Sequence, residues 1–245
     1  MDGSVGDIRL YAGRTAPGNW QFCDGRNVVS QGHDKLRRIL GNIYGGNADF
    51  IGTPSLNWIP TLNGAAVRYM ICTDGAWPYS LSGVTGEIRP WPGPAATIPA
   101  NWLPCDGRSL NRRNFTGLGI ALGSKYGGDF STFKIPSLAP PGAGLQYIIC
   151  AAGSFLSADV RYPLSGLVVG EVRLMAGLVQ DPIAGGMSNI SQGQLTFSLS
   201  DYGLLNSVLT GRFGTSTATT FHAPSVVAAP GPMNYFLVTQ GLAPI

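Results

Sequence analysis

Charged side chains are scarce in this sequence: they make up 12% of its 245 residues, and only three are Lys and two are Glu. Gly (35 residues) and Pro (18 residues) are abundant instead. Because Gly and Pro disfavour helices and favour turns, this composition predicts turn-rich, irregular structure. Hydrophobic residues still make up 44% of the chain, which excludes a disordered protein.

Targeting and nucleic-acid-binding signals are also missing. Residues 1–6 have neither the basic nor the apolar segment of a secretory signal. No apolar run reaches the roughly 18 residues of a membrane span. The net charge of +3 is spread thinly, and the only adjacent basic residues are Arg37-Arg38 and Arg112-Arg113. We expect a protein made in the cytoplasm without a signal peptide, with no membrane insertion and no nucleic-acid partner.

One series of short motifs occurs twice, with a third, eroded occurrence. Four landmarks of the first copy precede their counterparts in the second by the same 82 residues: Trp20 and Trp102, Cys23 and Cys105, Tyr44 and Tyr126, Pro54 and Pro136. The third copy keeps Gly-Glu-Val-Arg at 170–173 but has lost the Trp and the Cys-Asp-Gly, and residues 189–193 stand in their place. Such self-similarity indicates one module used three times.

The repeat predicts three units, 1–76, 86–153 and 170–245, joined by linkers 77–85 and 154–169. Units of this size bury little surface, so we expect them to pack on one another or on other chains. In each unit an alternating first strand, a second strand that carries the Trp in the first and second copies, one short apolar-striped helix and a continuous apolar last strand follow in order. The predicted fold class is α+β: three tandem small knobs, each with a few short strands, one short helix and long ordered loops.

Each first strand contains an acid, an apolar residue and an Arg, so the acid and the Arg share one face. The three Arg are Arg9, Arg89 and Arg173. The simpler interpretation, which we favour from sequence, is a surface ion pair of little energetic value. The alternative is an Arg that ties its strand to the next repeat or to a partner chain. Trp20 and Trp102 are predicted core anchors.

The four cysteines form equivalent pairs, Cys23 with Cys72 and Cys105 with Cys150, and the third copy has neither member. Joint loss suggests one shared role for each pair. Two roles stay open: an intra-repeat disulfide, or two small apolar side chains on neighbouring strands. Zinc is disfavoured, because two Cys per copy and only two His in the chain cannot supply four ligands per copy.

No catalytic motif is present: there is no nucleophile elbow, no phosphate-binding loop and no dinucleotide fingerprint. His33 and His222 fall at unrelated points of different copies. The repeated residues are those of a scaffold, so we predict no enzyme, no metal and no cofactor.

The joins between copies hold aromatic residues that either pack or form a sugar-binding surface, and packing is the commoner role. These candidate surface-binding residues are Trp77, Tyr79, Trp91, Arg161 and Tyr162.

The motif order G-[DE]-[IV]-R, W-x-x-C-D-G, Y-G-G, F-x-x-P-x-L and a last strand with Tyr resembles the tail collar domain of bacteriophage tail fibres, which also occurs in the microcystin-dependent protein family. The resemblance covers nearly the whole chain as three tandem copies, with the third degenerate. It implies a virion protein, a knob on a short tail fibre or at the baseplate of a contractile tail. Knobs of that family usually trimerise and sit where the tail meets the host surface.

The sequence departs from the family pattern in three respects. No shaft of heptads or long β-repeats precedes the first knob, so we expect the chain to dock on another tail protein. The segments before each last strand are short, which disfavours a dedicated host-binding head. The clustered His of some metal-binding fibre tips are absent.

Two functions follow: a structural tail, collar or baseplate component, or an adhesin for a host-surface glycan or protein. Two geometries are open as well: a pseudo-threefold ring within one chain, or a linear string whose chain trimerises.

Overall fold

The computed structural model describes residues 3–61, 66–79, 81–154, 167–176, 186–191, 193–214, 217–226 and 233–244. These residues form a mixed α+β structure with many short strands and three short α-helices. The predicted α+β class is confirmed, and strands predominate. Trp91, Phe133, Phe213, Phe221 and Phe236 are among the largest fully buried side chains.

The strands and helices are short, as the Gly and Pro content predicts. In chain order they are β1 (Ile8–Tyr11), β2 (Trp20–Phe22), β3 (Asn27–Val29), α1 (Asp34–Leu40), β4 (Phe50–Gly52), β5 (Ile59–Pro60), β6 (Ala66–Cys72), β7 (Glu87–Trp91), β8 (Trp102–Pro104), β9 (Ser109–Asn111), α2 (Thr116–Leu122), β10 (Thr132–Lys134), β11 (Gln146–Cys150), β12 (Glu171–Met175), β13 (Met187–Asn189), β14 (Thr196–Ser198), α3 (Gly203–Leu209), β15 (Thr220–His222) and β16 (Asn234–Val238).

Each copy contributes the same antiparallel pairings. The last strand of a copy pairs with its first strand on one side and with its second strand on the other, giving β1–β6–β2, β7–β11–β8 and β12–β16–β13. A separate two-stranded hairpin flanks the helix of each copy: β3–β4, β9–β10 and β14–β15. The third copy therefore keeps the pairing scheme although it has lost the Trp and Cys-Asp-Gly motif.

The three first strands meet at the centre of one ten-stranded sheet. The end of β1 pairs with the start of β12, Leu10 opposite Val172. The end of β12 pairs in the same way with the start of β7, Leu174 opposite Ile88. Of the three first strands, β12 thus pairs with both of the others, one at each of its ends.

The junction between β7 and β1 differs from these two, and proline explains the difference. Just past the two paired strand ends, Ala12 N donates to Gly170 O at 2.9 Å and Ala176 N donates to Gly86 O at 3.0 Å. Pro92 holds the matching position after β7, and Pro90 lies within that strand. Neither has an N–H to donate. Among the described residues no hydrogen-bonded ladder joins β7 to β1, although the two strands pack together.

The helices bury the apolar stripe that the sequence predicts, with Leu36, Ile39 and Leu40 of α1 all inside. By residue type, Gly123 predicts the end of α2 and Asn111 predicts its N-cap. Gly123 does end α2, but the prediction for Asn111 is wrong. Asn111 lies in β9, and α2 begins only at Thr116.

The aromatic motif before the Pro also needs a correction in the first copy. The hairpin pairs Val28 with Ile51 as it pairs Leu110 with Phe133, so Ile51 is the counterpart of Phe133. Ile51 is buried and Phe50, the residue chosen from sequence, is exposed.

Thr210 after α3 has a left-handed backbone, with φ 50° and ψ 39°. It is the only described non-glycine residue with positive φ. This conformation costs a β-branched residue about 1 kcal/mol or more.

Thr210→Gly is therefore expected to raise the free energy of unfolding by about 1 kcal/mol, measured by chemical denaturation. The matched variant is Gly123→Thr after α2, where φ is 60° and ψ −129°. It should lower stability, because a side chain is strained in that conformation. A Thr210→Gly variant no more stable than the parent would contradict the assignment of strain.

Candidate functional site

The acid–apolar–Arg triples of the three first strands converge at the centre of the sheet. All six ionic side chains are buried, with at most 6% of any of them exposed. They form a cluster that we call the ion ring, made of Asp7, Arg9, Glu87, Arg89, Glu171 and Arg173.

Two arginines bind the acid of their own copy and that of another copy. Arg9 Nε donates to Asp7 Oδ2 at 2.7 Å, and its Nη1 donates to Glu171 Oε1 at 2.5 Å. Arg89 Nε donates to Glu87 Oε1 at 2.7 Å, and its Nη1 lies 3.0 Å from both carboxylate oxygens of Asp7. The first copy is thereby connected to the third, and the second copy to the first.

Arg173 closes the ring. Its Nη2 donates to Glu171 Oε2 at 2.9 Å and its Nη1 donates to Glu87 Oε2 at 3.0 Å. Every Arg thus contacts its own acid and the acid of a different copy, in one rotational sense. The three positive charges are paired with three negative charges. This pairing offsets the free-energy cost of removing the charges from water.

The favoured prediction, a surface ion pair on each strand, is wrong. The three strands meet end to start at the centre of the sheet, so water is excluded from the face that holds these charges. The alternative interpretation, an Arg that ties its strand to another repeat, describes the contacts of Arg9, Arg89 and Arg173.

Electrostatics within the ring keep Glu171, Arg9 and Arg89 ionised. Burial raises the pKa of Glu171, but the positive charges of Arg9, Arg173 and Arg89 outweigh that effect and lower the pKa to about 2. For Arg9, burial lowers the pKa, and the charges of Asp7 and Glu171 more than offset it, so that the pKa is raised. The pKa of Arg89 is raised by the same balance of burial against Asp7 and Glu87.

Two tryptophans cover the arginines. The guanidinium of Arg9 lies 5.0 Å from the ring centre of Trp20, and that of Arg89 lies 5.0 Å from Trp102. Both Trp are buried, as expected of core anchors, and their cation–π contacts support the ring. In the third copy Met187 takes the place of the Trp, because it faces Val238 as Trp20 faces Cys72.

A second set of contacts joins the copies around the ring. Tyr44 Oη donates to Pro92 O at 3.1 Å, and Tyr126 Oη donates to the matching carbonyl, Ala176 O, at 3.0 Å. The third copy has Phe213 in place of the Tyr. There Arg212 Nη1 donates to Ala12 O at 2.7 Å. Arg212 therefore donates to the same carbonyl position of the repeat that Tyr44 and Tyr126 contact at the other junctions.

Three tyrosines of the last strands approach one another beside the ring: Tyr69, Tyr147 and Tyr235. Burial raises the pKa of Tyr69 well above its ordinary value, and the proximity of Tyr147 and Tyr235 raises it further. Tyr69 and Tyr147 line a cavity of about 10 Å³ together with the arginines of the ring. This is roughly the space of one water molecule, too little for a substrate.

The disulfide predicted as one role for Cys23 and Cys72 is wrong: all four described cysteines are free and buried. Cys72 faces Trp20 in the ladder, whereas Cys23 N bonds to Tyr69 O. The two cysteines therefore lie three positions apart along the strand pair, about 10 Å, beyond the reach of a disulfide.

The second copy repeats this arrangement with Cys105 and Cys150. The apolar packing role is the one that the structure has, since Ile190 and Val238 take the two positions in the third copy. Burial raises the pKa of the Cys72 thiol to about 12, mainly through desolvation, and that of Cys150 likewise.

The candidate surface residues are dispersed. Trp91 is fully buried, which makes its assignment to a binding surface wrong: it packs at the junction of the first and second copies. Tyr79 is 79% exposed and meets Trp77 edge-on at 6.5 Å. Arg161 and Tyr162 lie outside the described residues. Asp106, the acid of the Cys-Asp-Gly motif in the second copy, pairs with exposed Arg108 and not with Arg89.

Sequence reasoning paired the acids Asp7, Glu87 and Glu171 with the Arg of their own strand, because they recur with each Arg, but missed their contacts with other copies. It also missed Arg212. No sequence signal pointed to Arg212, since the residue that aligns with Tyr44 and Tyr126 is Phe213, its neighbour.

Searches for two other kinds of site gave nothing within the described part of the chain. There, no group of three or more His, Cys, Asp or Glu is placed to hold a metal ion. None of the described helices is long and apolar enough to cross a membrane.

Two segments of the chain match a known family. The family model described as Phage Tail Collar Domain matches residues 6–57 and 86–140, within the first and second copies of the repeat. The expected resemblance to that family is therefore confirmed for these two segments. Tail collar domains are structural parts of phage tail fibres, and the match supports a structural role of this kind in a virion. No curated protein and no solved structure matches the chain significantly.

Proposed function

We propose that this chain is a non-enzymatic structural component of a phage tail fibre, collar or baseplate, in which three collar-like units form a pseudo-threefold ring within one polypeptide. The units are 1–76, 86–153 and 170–245, with the third degenerate. The observation that carries the proposal is the ion ring, in which each of three equivalent arginines binds its own acid and the acid of another copy.

Symmetry supports this proposal over a linear string of knobs. The ion ring, the strand junctions and the carbonyl contacts of Tyr44, Tyr126 and Arg212 all follow the same cyclic order of copies. In a closed cyclic trimer, three identical subunits form the same interface three times. Fusion of three knobs into one chain would preserve those interfaces. Once fused, each copy is free to diverge, as Arg212 and Met187 illustrate.

The mass of the purified protein in solution tests the proposal. Because the ring satisfies the buried charges of all three copies, we expect the mass of one chain, 25.7 kDa, by light scattering during gel filtration. A mass of three chains that persists on dilution would favour the linear arrangement with a trimer of chains.

The second candidate function, an adhesin for a host-surface glycan or protein, is favoured by exposed Tyr79 beside Trp77. Binding of fluorescently labelled protein to host cells, in competition with infection, separates the two functions. Saturable binding that blocks infection and is lost in Tyr79→Ser would support the adhesin. Presence in purified particles without such binding would support the structural component.

A further inference from the structure

A cleft of about 420 Å³ opens between the first and third copies. One wall is Tyr11 with the loop that follows it, residues 14–18. The other wall is the outer face of α3, with residues 243–244 at one end. The volume falls within the range of ligand-binding pockets, about 300–1,000 Å³.

The equivalent junction between the first and second copies is filled. There Trp91, the counterpart of Tyr11, is fully buried, and its Nε1 donates to Thr97 Oγ1 at 3.1 Å. Gly93 of the same loop packs closely on Ile39 of α1. Because the Arg–acid contact and the carbonyl contact recur at both junctions, the cleft is a local feature of this chain and not a consequence of the fold.

Two arginines, Arg68 and Arg212, contact the loop of the cleft at Gly13. Arg68 Nη2 donates to Gly13 O at 3.2 Å, and Arg212 Nη1 donates to the same oxygen at 2.9 Å. Burial and then the charge of Arg212 lower the pKa of Arg68, and burial and then Arg14 lower that of Arg212. Arg14 is exposed, lines the cleft, and has no ion-pair partner among the described residues.

The rest of the lining combines aliphatic surface with hydroxyl groups. Ala16, Pro17, Leu204 and Val208 provide the aliphatic surface, and Arg14 is the one charged side chain among the described lining residues. An aliphatic side chain next to a carboxylate complements both parts of the lining.

We propose that this cleft binds an extended segment of another tail protein in which an acidic residue stands beside apolar ones, with Arg14 receiving the carboxylate. This inference rests on the proposed structural role. The left-handed Thr210, which also lines the cleft, supports it, since backbone strain concentrates at binding sites.

The test uses the full chain and a fluorescein-labelled decapeptide of alternating Leu and Glu, followed by fluorescence anisotropy. Saturable binding of one peptide per chain is expected, and it should weaken as salt concentration rises. Arg14→Glu should weaken it at least tenfold. Ser207→Trp, which fills the cleft from α3, should do the same. The matched control Arg113→Glu, an exposed Arg of the second copy, should leave affinity within twofold.

Three results would overturn the proposal: no binding of the peptide, equal binding by the Arg14→Glu variant, or tighter binding of a glucuronic acid oligomer than of the peptide. The same decapeptide with Gln for Glu should bind at least tenfold more weakly, and equal binding would remove the role of the carboxylate. Light scattering is run on the same samples. A one-chain mass without peptide binding would reject this site while leaving the one-chain ring intact.

Discussion

Replacing Arg89 by Met is expected to lower the free energy of unfolding by about 3–5 kcal/mol. The change removes the positive charge that neutralises Asp7 and Glu87 but leaves both carboxylates buried. Met has a similar length and keeps the apolar part of the packing, so the loss reports mainly on the charge. Urea denaturation at pH 7, monitored by Trp fluorescence and far-UV circular dichroism, gives the value.

The control is Arg108→Met, because Arg108 forms the same kind of pair with Asp106 at the surface, where both side chains are more than 40% exposed. Exposed pairs contribute about 0–1 kcal/mol, so this variant should stay close to the parent. A second variant replaces all six ring members with apolar residues and should be much more stable than Arg89→Met, since no charge is then left unpaired. Equal losses for Arg89→Met and Arg108→Met would mean that the ring does not hold the copies together.

Acid is expected to destabilise the protein between pH 4.5 and pH 2 through Glu171. Its pKa in the folded protein is about 2, below the ordinary value of 4.5. The stability that the ionised carboxylate contributes is therefore fully present above pH 4.5 and is lost as the pH falls through the folded pKa. The difference between the two pKa values corresponds to about 3 kcal/mol.

Glu171→Gln should be less stable than the parent at pH 7 and should approach the parent's stability as the pH falls to 2. Denaturation curves at pH 7, 4.5, 3 and 2 measure this. Asp106→Asn is the control, because its carboxylate pairs with Arg108 at the surface, where solvent screens the interaction and the change should be smaller. A stability difference between Glu171→Gln and the parent that is constant from pH 7 to pH 2 would contradict the low pKa.

Local patterns in the sequence predicted the first strand, the second strand, the helix and the last strand of a copy, but not the hairpin beside each helix. Alternation predicted Glu87, Ile88 and Arg89 as a strand, and the continuous apolar run around Ile148 predicted a buried last strand. Gly123 correctly marked the end of α2. The start of α2 was missed because Asn111, a good cap by residue type, is taken up by a hairpin strand.

The environment of the charges could not be predicted in the same way. Alternation places Glu87 and Arg89 on one face of a strand, but it does not say whether that face meets water. Burial depends on residues far along the chain, since Arg89 contacts Asp7, 82 positions away, and Arg9 contacts Glu171. The same limit explains the error for Trp91, which lies in a Pro-rich loop by sequence and is buried at a junction between copies.

The sequence by itself determined the repeat, the order of the first strand, second strand, helix and last strand within a copy, and the resemblance to tail collar domains, because these depend on motifs and spacings within about eighty residues. The tertiary structure alone decided that the three first strands meet in one sheet, that their ionic residues form a closed buried ring, and that the cysteines are too far apart to bond. The physical reason is that burial and charge pairing are set by contacts between copies, and local periodicity contains no information about which copy a given face will contact.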